Sequence, residues 1–320
     1  MNWHLKIPGL KLDRWAPQRT WSELLERWRS EGIRSLIFPV QLRSEEAQGK
    51  LLEIREAVEK TGLQFWLTLS VFNQPWFYRE HAAMRAVPRS GMDLPSWFGP
   101  ICPTSEVFRL DFSKEFLSLL ENLHPHTVLL DHFRVPYAWE EWGVEIRAGA
   151  WPVFCYCTRC TARFEHETDR SVGEVAPEDW IRWQQEILAG FLQELWALAQ
   201  TVSPKPAIGV QVPPFVSPTR WRLRHNWAGL NLAILKKTVD FFSPLLYSGL
   251  LGWTDDELLA YLIEFSTETK VAVLPGLQVV PTRWDRAASP PAPSEESLID
   301  RMAPLGIRGV TLFHAAAFVA

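Results

Sequence analysis

Long apolar runs are missing from this sequence. Nothing in it approaches the roughly 20 residues a helix needs to cross a bilayer, so no membrane partner is expected. Cysteine is scarce, at four in 320 residues. There is no N-x-S/T sequon, and the opening Met1-Asn-Trp-His-Leu-Lys6 lacks the apolar core of a signal peptide. These absences argue against a secreted disulfide scaffold and for a cytoplasmic protein. A surplus of one charge is also lacking: Lys+Arg 33 stand against Asp+Glu 37, a net −4, which leaves no electrostatic case for nucleic acid. The G-x-G-x-x-G and G-x-x-x-x-G-K-S/T nucleotide loops, the G-x-S-x-G elbow and H-E-x-x-H are absent. No short repeat, low-complexity tail or domain linker interrupts the chain.

Alternation is what the chain does have. Buried-strand patterns fall at Trp3–Ile7, Ser35–Leu42, Gln64–Phe72, Thr127–Asp131, Ala207–Val212, Phe241–Tyr247, Lys270–Leu274 and Gly309–His314. Amphipathic helical patterns lie between them, at Trp21–Gly32, Ser44–Thr61, about Lys114–Leu123, Glu178–Thr201, Asp255–Thr267 and Ser294–Leu305. Repeated strand–helix units with right-handed crossovers predict a (β/α)8 TIM barrel, class α/β. The reading is a single barrel domain over 1–320, with long loops after strands three and four (about 73–111 and 135–176) and a closing helix that is missing or very short.

Three cysteines sit together as Cys155-Tyr-Cys157-Thr-Arg-Cys160, and the fourth, Cys102, lies in the other long loop. None is left over, which points to one closed four-thiolate zinc site that braces the two loops without doing chemistry. Four buried free thiols are the plain alternative. Disulfides fit poorly, because so close a spacing resists relaxed geometry.

Seventeen tryptophans are the compositional outlier. Trp21, Trp28, Trp180, Trp183 and Trp196 sit at helical spacings and are expected to fill the core. Trp76, Trp97, Trp139, Trp142, Trp151, Trp221, Trp253 and Trp284 fall in loops, where packing and sugar contact are equally good explanations.

A barrel works at the C-terminal ends of its strands. The polar residues placed there are Gln41, Arg43, Asn73, Asp131, His132, Arg134, Gln211, Tyr247, Gln278 and His314. Asp131 closes Thr-Val-Leu-Leu-Asp, so its charge needs a partner or hydration; Arg134 is the expected partner. A glycosidase pair needs a second carboxylate. Glu140 and Glu141, set between Trp139 and Trp142, are slightly preferred to Asp285, with Glu145, Asp255 and Asp256 also available. His124 and His126 precede the fourth strand, at the wrong end of the barrel. A basic aromatic loop, Arg220 to Trp227, has no assigned role.

Cys102-Pro-Thr-Ser, with the later Cys155-Tyr-Cys157-Thr-Arg-Cys160-Thr-Ala-Arg-Phe164, resembles the structural zinc cluster of glycoside hydrolase family 42 β-galactosidases. Asp131-His-Phe-Arg134-Val-Pro136 and Phe242-Ser-Pro-Leu-Leu-Tyr247 are similar to motifs of glycoside-hydrolase-like barrels. The resemblance implies structural Zn2+ and site roles for Asp131, Arg134 and Tyr247. Two departures matter. Family 42 enzymes place Asn-Glu at the end of strand four, where this chain has Leu130-Asp131. They carry a nucleophilic Glu on strand seven, where it has Leu274-Pro-Gly-Leu-Gln278. Galactosidase activity is therefore not implied.

The expectation is a glycoside hydrolase with Asp131, Glu140 and Glu141 as catalytic candidates. Arg134, His132, Tyr247, His314, Gln211, Gln278, Asn73 and Trp284 would contact the carbohydrate. The alternatives are a non-catalytic carbohydrate-binding barrel and a different hydrolase or lyase using Asp131 and His132. Homo-oligomerisation is left open.

Overall fold

The structure is a computed structural model that describes residues 1–10, 14, 16, 19–40, 45–89, 93–218, 222–285 and 295–318. Gln41, Arg43, Arg220 and Trp221 lie outside the described residues. Strands β1 (Asn2–Lys6), β2 (Ile33–Val40), β3 (Gln64–Ser70), β4 (Thr127–Asp131), β5 (Ala207–Val212), β6 (Phe241–Leu246), β7 (Ala272–Val273), β8 (Gly276–Gln278) and β9 (Gly309–Phe313) form one all-parallel sheet. β5 pairs with β6 and β1 with β9, which closes the sheet into a barrel.

The seventh stave departs from expectation. The sequence pattern predicts one strand, Lys270–Leu274; the stave consists of β7 and β8 on either side of Leu274-Pro275. Pro275 has no N–H for the ladder. Its carbonyl instead accepts from Thr311 N at 2.8 Å, so the stave leaves β6 at Val273 and rejoins it at Gly276.

Helices α1 (Trp21–Ser30), α2 (Glu45–Lys60), α3 (Pro75–Glu80), α4 (Glu106–Leu123), α5 (Trp139–Trp142), α6 (Thr158–Thr168), α7 (Pro177–Ala199), α8 (Leu232–Leu235), α9 (Ser248–Leu251), α10 (Asp255–Thr269) and α11 (Glu295–Met302) follow in chain order. α4 starts well before the expected Lys114. Ser105 caps it by accepting from Phe108 N, and Phe108, Phe112 and Phe116 form an i, i+4 stripe that continues into Leu119, Leu120 and Leu123. Trp196 corrects another expectation: it is 36% exposed, because the buried stripe of α7 passes through Leu195 and Ala199. The chain's last described element is a short 3₁₀ turn, Ala315–Phe318, whose Phe318 carbonyl accepts from Trp28 Nε1 at 3.0 Å. Among the described residues no helix is long and apolar enough to cross a membrane.

Strand alternation layers the barrel interior. Low in the barrel, Ile37, Trp66, Leu129, Phe241 and Leu274 form an apolar plug. Gly209 makes room for it: a Cβ there would meet the Phe241 ring at 2.4 Å. His4 stacks on Trp66 and hydrogen-bonds Ser35. Two residues further along β3, β5 and β6 the same face turns polar, with Thr68, Gln211 and Ser243. Lys6, two residues beyond His4, and Asp131, two beyond Leu129, emerge at the mouth.

Candidate active site and thiol cluster

The four cysteines converge. Their Sγ atoms all lie within 4.8 Å of one another, with Cys102 3.6 Å from Cys157 and 3.4 Å from Cys160. A disulfide would need about 2.05 Å, and all four thiols are free. A four-thiolate tetrahedron with arms of about 2.3 Å has edges near ~3.8 Å, so the donors fit a thiophilic ion. Local structure explains the spacing. Cys157 is the N-cap of α6 and Cys160 lies in its first turn, where the helix dipole favours thiolate. Hydrogen bonds from Cys155, Cys157 and Cys160 hold the Cys102 thiol well below its ordinary range, whereas burial pushes Cys155 up. Thr104 Oγ1 lies 3.1 Å from both Cys102 and Cys160, and Val87 N donates to Cys155 Sγ at 3.3 Å. The cluster joins the excursion after β3 to the excursion after β4. Cys102 N bonds Met84 O, Tyr156 N bonds Val87 O, and Arg159 reaches Ala83 O.

At the mouth, Asp131 accepts from His132 N at 2.7 Å. Its expected partner is not the one found. Asp131 Oδ2 lies 3.7 Å from Lys6 Nζ, at the end of β1. The chain turns at His132 (φ 51°), Arg134 N bonds back to His132 O, and the Arg134 side chain donates to Tyr137 O at 3.1 Å. Arg134 is buried, and its Nε and Nη1 have no partner among the described residues. Burial raises the Asp131 carboxyl, but the charges of His132, Lys6 and Arg134 outweigh it and bring it down to about 2. His132 is itself pushed down to about 4 by burial, so at neutral pH Lys6 and Arg134 are the cations that hold Asp131 ionised.

Glu140, on α5, takes the opposite course. Burial pushes its carboxyl up to about 7; Arg134 opposes the rise, and Asp131 and Glu141 add to it. Glu140 Oε2 is buried without a partner among the described residues. Glu140 lines a cleft of about 190 Å³ together with Trp139, Glu141, Leu250 and Trp284. Tyr247 lies in the same field: burial and then the charges of Asp131 and Glu140 raise its hydroxyl well above the ordinary range. Its ring stacks on Phe313 at 5.0 Å and faces Trp139 at 6.0 Å. One electrostatic cluster thus joins Lys6, Asp131, Arg134, Glu140 and Tyr247.

The remaining predicted residues are placed differently. The His132 ring contacts Ser70 Oγ at 3.0 Å through Nδ1 and Asn73 Nδ2 at 3.4 Å through Nε2. Ser70 Oγ already donates to Asn73 O, so Nδ1 is the donating nitrogen and both ring nitrogens are engaged. Asn73 Oδ1 accepts from Gly99 N at 2.8 Å. Gln278 fastens loops together: its Oε1 accepts from Gly249 N, and its Nε2 donates to Val280 O and to both Asp285 oxygens. Asp285 also accepts from Thr282 and presses against Gly249, where a Cβ would meet it at 2.6 Å. That carboxylate is therefore fully engaged. Gln211 is buried with Oε1 unpartnered among the described residues. His314 Nδ1 accepts from Ala316 N, and burial and then Lys6 lower the ring's pKa.

Glu141 is exposed. It accepts from Trp97 Nε1 at 3.3 Å and Trp284 Nε1 at 3.1 Å, whose rings meet at 5.6 Å. Lys6 is the participant that sequence reasoning did not single out, whereas Trp97 was among the loop tryptophans named for packing or sugar contact. The signal for Lys6 was available, as a cation at the end of the first strand.

No family model matches the sequence, and no curated protein matches it. The fold is similar to solved structures. These include a β-galactosidase from Marinomonas ef1 (TM-score 0.69, 14% identity, covering 98% of this chain and 54% of that chain). A glycoside hydrolase family 42 β-galactosidase from G. stearothermophilus gives TM-score 0.70 at 12% identity, covering 98% of this chain and 50% of that chain. The glycoside hydrolase domain of PgaB from Bordetella bronchiseptica gives TM-score 0.69 at 10% identity, covering 99% of this chain and 94% of that chain. The chain spans about half the length of the two galactosidases. At these identities the likeness is one of fold: a closed parallel barrel of the kind that glycoside hydrolases use, with a four-cysteine cluster at metal-binding distance.

Proposed function

We propose that the protein is a glycoside hydrolase with Asp131 and Glu140 as its carboxylate pair. The observation that carries this reading is the opposite displacement of two acids in one cluster, Asp131 to about 2 and Glu140 to about 7. Acid/base catalysis at neutral pH needs one carboxyl that keeps its proton and one that has lost it. Glu140 would protonate the departing glycosidic oxygen. Asp131, ionised, would stabilise the cationic transition state and act as nucleophile or as base toward water. Tyr247, Arg134 and His314 would orient the sugar, with Trp139, Trp284 and Phe313 giving its ring apolar faces. Glu141, held by two indoles, is a wall residue in this scheme.

Cys102, Cys155, Cys157 and Cys160 would hold a structural Zn2+, which supplies rigidity and no reaction step. Four unoxidised thiols so close together agree with a reducing, cytoplasmic compartment. The glycosidase names of the fold neighbours support a carbohydrate ligand. With both ring nitrogens engaged, His132 gives the lyase alternative no support. The test is turnover of a panel of aryl glycosides by the native chain, Asp131→Asn and Glu140→Gln. Loss in both variants with the fold intact supports the reading. Full turnover in either removes that residue, and sugar binding with no hydrolysis by any form would establish the carbohydrate-binding alternative.

A further inference from the structure

The basic aromatic loop after β5 is left without a role by the barrel mouth. Its Arg224 and Trp227 line a separate cleft of about 340 Å³, together with Arg147 from the loop after β4 and Arg182 from α7. Three arginines from three elements line it, and Glu178 is the one carboxylate in the lining. In a chain with net charge −4 this local excess of cations runs against the average. Among the described residues the one ion pair these groups make is Arg182 with Asp179 at 3.5 Å. Arg224 Nε is buried with no partner among those residues.

The walls are tied in place. Gln185 Nε2 donates to Asn226 O at 3.2 Å, Trp227 Nε1 to Ala150 O at 3.1 Å, and Arg224 N to Phe215 O at 2.8 Å. A preformed cleft with an apolar floor and a few convergent polar groups is the usual form of a small-molecule site. Ile146, Leu223 and Trp227 form the apolar part of the lining, the Asn226 amide suits hydroxyls, and the guanidinium groups of Arg147 and Arg224, which make no ion pair among the described residues, suit a bidentate anion.

We propose that this cleft binds a small sugar carrying an anionic group, a carboxylate or a phosphate ester, at a site separate from the barrel mouth. The volume suits one or two sugar rings, at the small end of the range for ligand pockets. Ligation there would be felt close to the proposed acid, because Gly143 and Val144 line the Glu140 cleft and Ile146 and Arg147 line this one.

The test is calorimetry on the full chain with glucuronate, glucose 6-phosphate, glucose and inorganic phosphate. At least one acidic sugar should bind at least about tenfold more tightly than glucose. Binding should weaken as salt rises from about 0.05 to 0.5 M. Arg147→Gln, an exposed change that leaves the fold intact, should weaken it about tenfold, as should Arg224→Gln. Asp131→Asn should leave it unchanged. Four results would overturn the proposal: no binding of either acidic sugar, equal binding of glucose, affinity that survives Arg147→Gln and Arg224→Gln, or affinity lost in Asp131→Asn. Inorganic phosphate binding as tightly as glucose 6-phosphate would also overturn it, by reducing the site to a simple anion trap.

Discussion

In the thiol cluster, three of the four donors lie between Cys155 and Cys160, and one helix start positions two of them. At the barrel mouth, the interacting groups come from the end of β1 (Lys6), the turn after β4 (Asp131, Arg134), α5 (Glu140) and the residue after β6 (Tyr247). The cysteines also share one chemistry, since four thiolates at this spacing could all hold the same thiophilic ion. The two acids at the mouth are chemically alike, and only their surroundings push one carboxyl down to about 2 and the other up to about 7. A local cluster of like groups suits a bracing role. A long-range cluster of unlike environments is what acid/base chemistry requires, and it is more easily disturbed.

The contrast can be broken most forcefully at the mouth. Asp131→Asn and Glu140→Gln should each lower the kcat of folded protein by about 10²–10⁴-fold. Retained turnover would show that the opposite pKa displacements serve structure alone. At the other pole, Cys157→Ser or removal of the metal by a chelator should destabilise the chain by about 3–5 kcal/mol. The kcat of molecules still folded should stay within a few-fold of native. Metal analysis should find one zinc per chain, and an absence of bound metal with full stability would reduce the cluster to four packed thiols.

Next comes the pH dependence of Glu140. Its folded pKa is raised from 4.5 to about 7. The stability this linkage provides is fully present below 4.5 and is lost as pH rises through 7. Glu140→Gln should therefore stabilise the protein at pH 8 by about 1–3 kcal/mol and do little at pH 4. Thermal melts at the two pH values check this. The same proton predicts that kcat/KM falls above about pH 7, with no acid limb above pH 4 because Asp131 stays ionised down to about 2. Lys6→Met should move that acid limb upward, and Lys6→Arg should largely restore it. The smallest effect is expected at Glu141, where Glu141→Gln should change kcat less than about tenfold, well short of a catalytic residue's loss.

Much of the fold was legible in the sequence. Thr127–Asp131 and Ala207–Val212 coincide with the predicted strands, because period-two burial and flanking helical stripes are local signals. α4 was read short because the Phe108–Phe112–Phe116 stripe sits in a stretch rich in proline and aromatics, where turn signals mask a helical period. The split of the seventh stave could not be read from Pro275 alone, since it depends on where β6 and β9 offer their partners. The expected Asp131–Arg134 pair acts only through space, for a similar reason. Closeness in sequence suggested a partner, but the turn at His132 carries Arg134 to Tyr137 while the barrel brings in Lys6 from the end of the first strand.

By itself, then, the sequence determined the strand–helix alternation, the identity of the four thiol donors and Asp131 at the end of a buried strand. These are one-dimensional properties of pattern and spacing. Tertiary structure alone decided that Lys6 faces Asp131, that Gln278 locks Asp285 into the loops, and that Glu140 is buried while Glu141 is held at the surface by two indoles. Burial and through-space charge set those outcomes, and both depend on which distant segments closure of the barrel brings together.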